Sequence, residues 1–229
     1  MYARRVNELA AGSRAWTWPG LAIALLGLPI AVGSVAALLG PLDAWTIVAR
    51  ECLCFALAAV LVLAILPREG LGSASIGLDR PTGRELAKWV PLAALASFAA
   101  AGAGVLLGVS LGLRFAGSDA SLYDRVPTAV FLLVILRAGL VEELFYRAYA
   151  IDRLERITGS RLVAVAAPLV FFALFHYKQR AGGMLVALFA GAALTAIWLH
   201  KRNLWINASA HFLVDFVPNV LLPLLLPSD

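Results

Sequence analysis

Long apolar runs dominate the chain, and short polar segments separate them. A helix needs about 20 mostly apolar residues to cross a bilayer. The first run, residues 15–42, has no charged residue and is longer than the hydrophobic region of a signal peptide. The pattern predicts an all-α, polytopic transmembrane helix bundle with about seven spans, and six to eight spans fit it. The predicted spans are residues 15–42, 45–66, 89–113, from 126 to about 150, 162–177, 181–199 and 204–226.

The composition supports a membrane protein and excludes several other classes. Hydrophobic residues make up 62% of the chain and charged residues 14%, whereas a soluble domain has about 25% charged residues. One soluble core of this size cannot bury so much apolar surface. A disordered chain, a nucleic-acid-binding domain and a disulfide scaffold are excluded. Cys52 and Cys54 point to different faces of a helix and are interpreted as core or lipid-facing residues.

The distribution of Lys and Arg predicts the orientation. Of the 19 basic residues, twelve lie at the N-terminus, in 67–88, in 151–161 and at 201–202, whereas five lie in the alternate segments, among them Arg50. Basic residues concentrate on the cytoplasmic side. We therefore predict a multi-pass protein of the plasma (inner) membrane with a cytoplasmic N-terminus and an external C-terminus.

Two helix faces of small residues predict close helix packing. Small residues spaced by four allow helices to approach closely in lipid. They are Gly104, Gly108 and Gly112 in span three, and Gly183, Ala187, Gly191 and Thr195 in span six.

Span four carries ionisable residues inside an apolar segment, and such residues are costly in a membrane and usually mark function. Glu143 and Arg147 are four apart, in the favourable order for an ion pair. Glu142 lies about 140° from Arg147 on an α-helix and points elsewhere. One carboxylate can thus be neutralised while the other stays available for chemistry. The alternative is a helix end whose charges extend into the headgroups.

Two further segments add polar side chains to apolar helices. His176 ends span five, four residues after Phe172. Span seven carries one polar stripe with a spacing of four, formed by Asn207, His211, Asp215 and Asn219. His211 and Asp215 could bind a metal, orient a water or hydrogen-bond each other. A structural bond between helices is the alternative. Together the three segments favour a general base, its partner and a charge-stabilising pair.

These segments resemble the three motifs of the CPBP family, which comprises the CAAX prenyl proteases and their bacterial relatives and is also called the ABI family. The motifs are Glu142-Glu143-x-x-x-Arg147, Phe172-x-x-x-His176 and His211-x-x-x-Asp215. The resemblance covers roughly residues 120–219. It predicts N-terminal transmembrane helices over 1–119 and a catalytic helical core over 120–229, within one membrane-embedded unit.

The resemblance implies intramembrane hydrolysis of a peptide bond. In the family's pattern, Glu142 is the base that activates water and His176 is its partner. His211 and Asp215 stabilise the oxyanion or bind a metal. The supporting residues are Glu143, Arg147, Phe172 and Asn207. Many members have Asn at the last motif position. An ionised Asp215 would repel an oxyanion, so this side chain must be protonated, orient His211 or bind a metal.

The cofactor is left open between none and zinc. His176, His211 and Glu142 would form a plausible zinc set with an open position. The chain has no His-Glu-x-x-His helix, which is the usual zinc-protease motif. The metal-free form is slightly favoured.

The expected partners are the lipid bilayer and a peptide or membrane-protein substrate, with no nucleic acid. The site is expected to open to the cytoplasmic side. Two other functions fit the same buried groups. One is a non-catalytic scaffold or immunity protein, and the other is a proton-coupled transporter.

Overall fold

The computed structural model describes residues 2–39, 43–116 and 126–226, and every regular element within these ranges is helical. The prediction of an all-α protein is confirmed. The helices are α1 (Tyr2–Leu39), α2 (Ala44–Val60, continued through Leu61–Ile65 and Leu66–Arg68), α3 (Gly83–Ser110), α4 (Thr128–Arg137, continued through Ala138–Tyr149), α5 (Ala150–Thr158), α6 (Arg161–Phe175), α7 (Arg180–Lys201) and α8 (Leu204–Phe216, continued to Leu225).

Five helical segments are long and apolar enough to cross a membrane: Ala15–Val35, Ala44–Arg68, Gly83–Ser110, Tyr177–Lys201 and Leu204–Leu225. Helix α6 is apolar but shorter, and the charged helix formed by α4 and α5 is the seventh long element of the described chain. The protein is therefore a multi-pass membrane helix bundle of about seven spans.

Side-chain caps explain where several helices begin. Thr82 and Glu85 form a reciprocal capping box at the start of α3, which satisfies backbone N–H groups that have no partner within the helix. Helix α3 therefore begins at Gly83, inside the segment 67–88 that we predicted as a loop. Ser160 and Asn203 cap α6 and α8 more simply, because each side chain accepts from one backbone N–H of the first turn.

The small-residue face of α7 packs as predicted. Gly183, Ala187, Gly191 and Thr195 are all buried. On α3, Gly104 is buried, and a β-carbon there would lie 3.1 Å from Cα of Val186 on α7. Gly112 differs from the prediction, because α3 ends at Ser110 and Gly112 follows in an exposed turn with φ of 65°.

The main core is built around the second half of α4. Phe145 and Cys54 are 0% exposed, and they belong to one cluster with Leu28 of α1 and Trp198 of α7. Cys52 is exposed, so the interpretation of the cysteines as core or lipid-facing residues is confirmed. The packing of α1, α2 and α7 around α4 sets the surroundings of the charged residues on that helix.

Candidate active site

The segment Ala138–Tyr149 of α4 is wound as a π-helix. A π-helix has i→i+5 hydrogen bonds and often occurs at functional sites. Its wider turn brings side chains five positions apart close together, whereas an α-helix separates them by about 140°. Glu142 and Glu143 lie in this segment and are 3% and 0% exposed. The winding therefore determines which partners the two carboxylates reach.

Glu143 is the centre of a buried hydrogen-bond network. Its Oε1 accepts from Nη1 of Arg147 at 2.8 Å and from Nδ1 of His211 at 2.8 Å. Its Oε2 accepts from Nδ2 of Asn207 at 3.0 Å. The predicted ion pair between Glu143 and Arg147 is confirmed. Glu143 thereby joins α4 to the polar stripe of α8.

Arg147 connects Glu143 to α6 and α7. Its Nη2 donates to the carbonyl of Gly191 at 3.2 Å, and its Nε donates to Oγ1 of Thr195 at 3.4 Å. Its guanidinium lies 4.1 Å from the centre of the Phe172 ring, a distance typical of a cation–π contact. A side chain at Gly191 would collide with both Arg147 and Phe172. The small face of α7 therefore makes room for this arginine.

Glu142 is not a free carboxylate, which corrects our expectation. Its Oε1 forms a short ion pair with Nη1 of Arg137, five residues earlier in the chain. Among the described residues, no donor is hydrogen-bonded to its Oε2. The carboxylate is therefore held by one oxygen only.

Arg137 also pairs with a residue of α2. Its Nε donates to Oε2 of Glu51 at 2.6 Å, and Nε of Arg50 donates to Oε1 of Glu51 at 2.7 Å. The charges of Arg50, Glu51, Arg137 and Glu142 alternate in sign along this buried chain. Arg50, which we assigned to the alternate, external segments, is buried in this ionic chain.

His176 lies directly after the last residue of α6 and is half-buried. Its Nδ1 is 2.8 Å from the carbonyl oxygen of Phe172. A carbonyl can only accept, so Nδ1 is the donor in this contact and Nε2 is left for another partner. The Phe172 ring packs 4.8 Å from the His176 ring and 6.0 Å from the His211 ring, between centroids. Phe172 thus separates and orients the two histidines.

His211 lies between two carboxylates. Its Nδ1 faces Glu143, and its Nε2 is 3.7 Å from Oδ2 of Asp215, which is longer than a hydrogen bond. The Asp215 side chain retains 34% exposure, whereas the His211 side chain retains 7%. Asp215 is therefore the more open end of this network.

Asp215 lies within electrostatic range of the other three residues predicted to be catalytic, His211, Glu142 and His176, and also of Arg137. Within the described ranges, no hydrogen bond or ion pair joins His176 to Glu142. The predicted pairing of these two residues therefore stays a prediction.

The described residues do not supply an assembled metal site. No three His, Cys, Asp or Glu side chains among them are grouped so that they could hold a metal ion. The set of Glu142, His176 and His211 therefore does not fit a zinc ion in this arrangement. Metal dependence stays a question for experiment.

Sequence reasoning missed the roles of Arg137, Glu51 and Arg50. Arg137 and Glu142 are five apart, a spacing that does not favour a contact on an α-helix. Glu51 lies 86 positions from Arg137, and only the packing of α2 on α4 brings them together. Three charged residues inside apolar runs were the available signal, because such charges are rarely left unpaired in a membrane.

The geometry defines a membrane-embedded helix bundle with a buried set of acids and histidines. Residues 124–217 match the family model described as type II CAAX prenyl endopeptidase Rce1-like. This segment is therefore similar to the Rce1-like family, in agreement with its resemblance to the CPBP proteases. The match supports, in general, an intramembrane endopeptidase of the CAAX type. Comparisons with curated proteins and with solved structures gave no significant match.

Proposed function

We propose that this protein is an intramembrane endopeptidase in which Glu142 activates the attacking water. The observation that carries the proposal is the contrast between the adjacent carboxylates. Glu143 accepts three hydrogen bonds, whereas Glu142 is held by Arg137 through one oxygen. Oε2 of Glu142 is then available to take a proton from water, as a general base must.

His211 and His176 complete the proposed reaction. Water attacks the carbonyl carbon of the scissile bond, and Glu142 takes the proton that water loses. His211, flanked by Glu143 and Asp215, donates from Nε2 to the oxyanion. His176 orients the water by accepting from it at Nε2. The C–N bond then breaks as Glu142 returns the proton to the leaving nitrogen, so the carboxylate is regenerated.

Glu143, Arg147, Phe172 and Asn207 hold this arrangement. Nδ2 of Asn207 donates one hydrogen bond to Glu143 and one to the carbonyl of Leu194. Its Oδ1 and the hydroxyl of Tyr146 are buried without a hydrogen-bond partner in the described chain. Buried polar atoms are nearly always paired with protein or water. Unpaired polar atoms beside the two glutamates support a site that takes up water.

The depth of the more exposed side chains in the membrane bears on the side from which water enters the site. His176 and Asp215 lie about 22 Å and about 17 Å along their helices from Arg161 and Leu204. In a hydrocarbon core about 30 Å thick, both lie beyond the middle. By the same measure Glu142 and His211 lie about 12 Å and about 11 Å from Ala150 and Leu204, short of the middle. The site therefore extends across the centre of the core, and its opening to the cytoplasmic side stays a prediction.

The test is cleavage by the purified protein in lipid vesicles. The probes are a prenylated CAAX peptide, the same peptide without the prenyl group, and a membrane-spanning peptide, with products identified by mass spectrometry. We expect cleavage of at least one probe by the wild type and none by Glu142→Gln. Equal cleavage by Glu142→Gln would overturn the assigned base.

The same preparation separates the remaining alternatives. Intact probes together with pH-driven flux across the vesicle would indicate a transporter. Intact probes without flux would favour the non-catalytic scaffold. Cleavage abolished by a chelator and restored by zinc would indicate a metalloprotease, whereas chelator-resistant cleavage is expected for the glutamate mechanism.

A further inference from the structure

Helix α2, in the N-terminal half of the chain, contributes a charged pair to the site. It lies outside the segment 124–217 that matches the family model. Glu51 is 0% exposed and Arg50 is 5% exposed. Arg50 pairs with Glu51, and Glu51 pairs with Arg137, which in turn holds Glu142. Four charges are thus buried in one row that begins on α2 and ends at the proposed base.

Buried charges of alternating sign stabilise one another, whereas an unpaired ion within a membrane protein is costly. The row contains two cations and two anions, so its formal charge is zero. Arg50 balances Glu51, which leaves the charge of Arg137 to be shared between Glu51 and Glu142. The presence of Arg50 therefore matters for how strongly Arg137 can neutralise Glu142.

The way Arg137 divides its donors is the decisive detail. A guanidinium commonly binds one carboxylate through two parallel hydrogen bonds. Here Glu51 occupies Nε of Arg137, and Glu142 receives Nη1. Glu51 holds the guanidinium by Nε and so fixes its orientation, in which Nη1 alone donates to Glu142. Oε2 of Glu142 accepts no hydrogen bond from the guanidinium in this orientation.

We propose that Arg50 and Glu51 are positioning residues of the active site, which act through Arg137 to hold Glu142 by one oxygen and leave the other open to water. This inference rests on the proposed function of Glu142. It extends the functional site from the matched domain into α2. It also gives the N-terminal half of the chain a role in turnover, exerted through Arg137.

The test uses a charge-balanced double variant, Arg50→Gln/Glu51→Gln, in lipid vesicles. It removes one cation and one anion together, so the fold is not left with an unpaired buried charge. Arg137 is then free to turn and bind Glu142 through two parallel hydrogen bonds. We expect kcat to fall on the order of tenfold to a hundredfold, with KM and the melting temperature close to those of the wild type. Wild-type kcat in this folded variant would overturn the proposal.

The matched control is Glu69→Gln, which removes another buried carboxylate at the end of α2. Glu69 is 3% exposed and pairs with Arg153, an arginine of the same segment 124–217, but contacts no proposed catalytic residue. Its loss is expected to lower the melting temperature and to leave kcat per folded molecule unchanged. An equal fall in kcat in the control would reduce Arg50 and Glu51 to a general structural role and overturn the inference.

A third variant distinguishes this inference from the proposed function. A triple variant combines Arg137→Gln with the double variant. Its kcat should be little lower than that of Arg137→Gln alone, because Arg50 and Glu51 act through Arg137. Additive losses of kcat would contradict an action of Arg50 and Glu51 through Arg137. Absence of cleavage by the wild type would overturn the proposed function itself, whereas cleavage that needs Glu142 but not Arg50 and Glu51 would overturn only the inference.

Discussion

Two buried ionic networks connect α2 to the charged helix α4–α5, and their carboxylates are hydrogen-bonded to different extents. In the first, Glu142 is bound by Arg137 through one oxygen. In the second, Glu69 accepts from four donor atoms. These are Oγ1 of Thr17 at 2.8 Å, the hydroxyl of Tyr149 at 2.9 Å, and Nε and Nη2 of Arg153 at 3.3 and 3.1 Å.

The difference separates a structural carboxylate from a reactive one. Glu69 has both oxygens occupied, and its partners come from α1, α4 and α5, so it fastens three helices together. Glu142 leaves one oxygen open and lies among His211, Asp215 and Arg137. A general base needs such an open oxygen, whereas a saturated carboxylate has no acceptor site left for water. The number of hydrogen bonds that each carboxylate accepts, more than its burial, distinguishes the two networks.

The largest effect outside Glu142 is expected at His211. In His211→Asn the amide nitrogen can replace Nδ1 as the donor to Glu143, but Nε2 is lost. We expect kcat to fall on the order of a hundredfold to a thousandfold, as when an oxyanion donor is removed, with little change in melting temperature. Retained turnover would remove His211 from the proposed chemistry and would weaken the contrast between the networks.

Gly191→Ala tests the packing that holds Arg147. The new β-carbon would lie 2.8 Å from Nη2 of Arg147 and 2.9 Å from the Phe172 ring. We expect turnover to fall by about tenfold, because a small displacement of site residues is costly. The control is Gly102→Ala, where a β-carbon has open space. If both variants turn over like the wild type, Arg147 does not need this close approach.

Tyr149→Phe tests the saturated network. It removes one donor from the buried Glu69 and should destabilise the fold by about 1–3 kcal/mol. Thermal or denaturant unfolding in detergent measures this loss. Turnover per folded molecule should stay at the wild-type level. A fall in kcat without destabilisation would show that the two networks are not functionally separate.

The smallest fall in kcat among the site variants is expected at Asp215. Its contact with His211 is 3.7 Å long and its side chain is 34% exposed. Asp215→Asn should lower kcat only a few-fold, because the contact with His211 is longer than a hydrogen bond. Rate measurements over a range of substrate concentrations will test this. A loss comparable to that of His211→Asn would make Asp215 a full member of the reacting group.

The sequence predicted the helical membrane architecture and the pairing of Glu143 with Arg147, because apolar length and a spacing of four are local signals. It did not predict the partner of Glu142, because that contact depends on a π-helical turn that spacing alone does not specify. Glu51 was also missed, since its contact with Arg137 depends on the packing of two distant helices. The division of the chain at residues 119 and 120 stays a prediction, although the ionic row crosses it.

The most direct test of the central claim compares Glu142→Gln with Glu69→Gln in the same vesicles. Both replace a buried glutamate by its nearly isosteric amide, and kcat and melting temperature are measured for each. We expect Glu142→Gln to lose turnover per folded molecule by about a thousandfold or more, beyond any loss of stability from the unbalanced Arg137. Glu69→Gln should keep its turnover per folded molecule and melt at a lower temperature. The reverse pattern, or equal turnover in both variants, would contradict the assignment of Glu142 as the base.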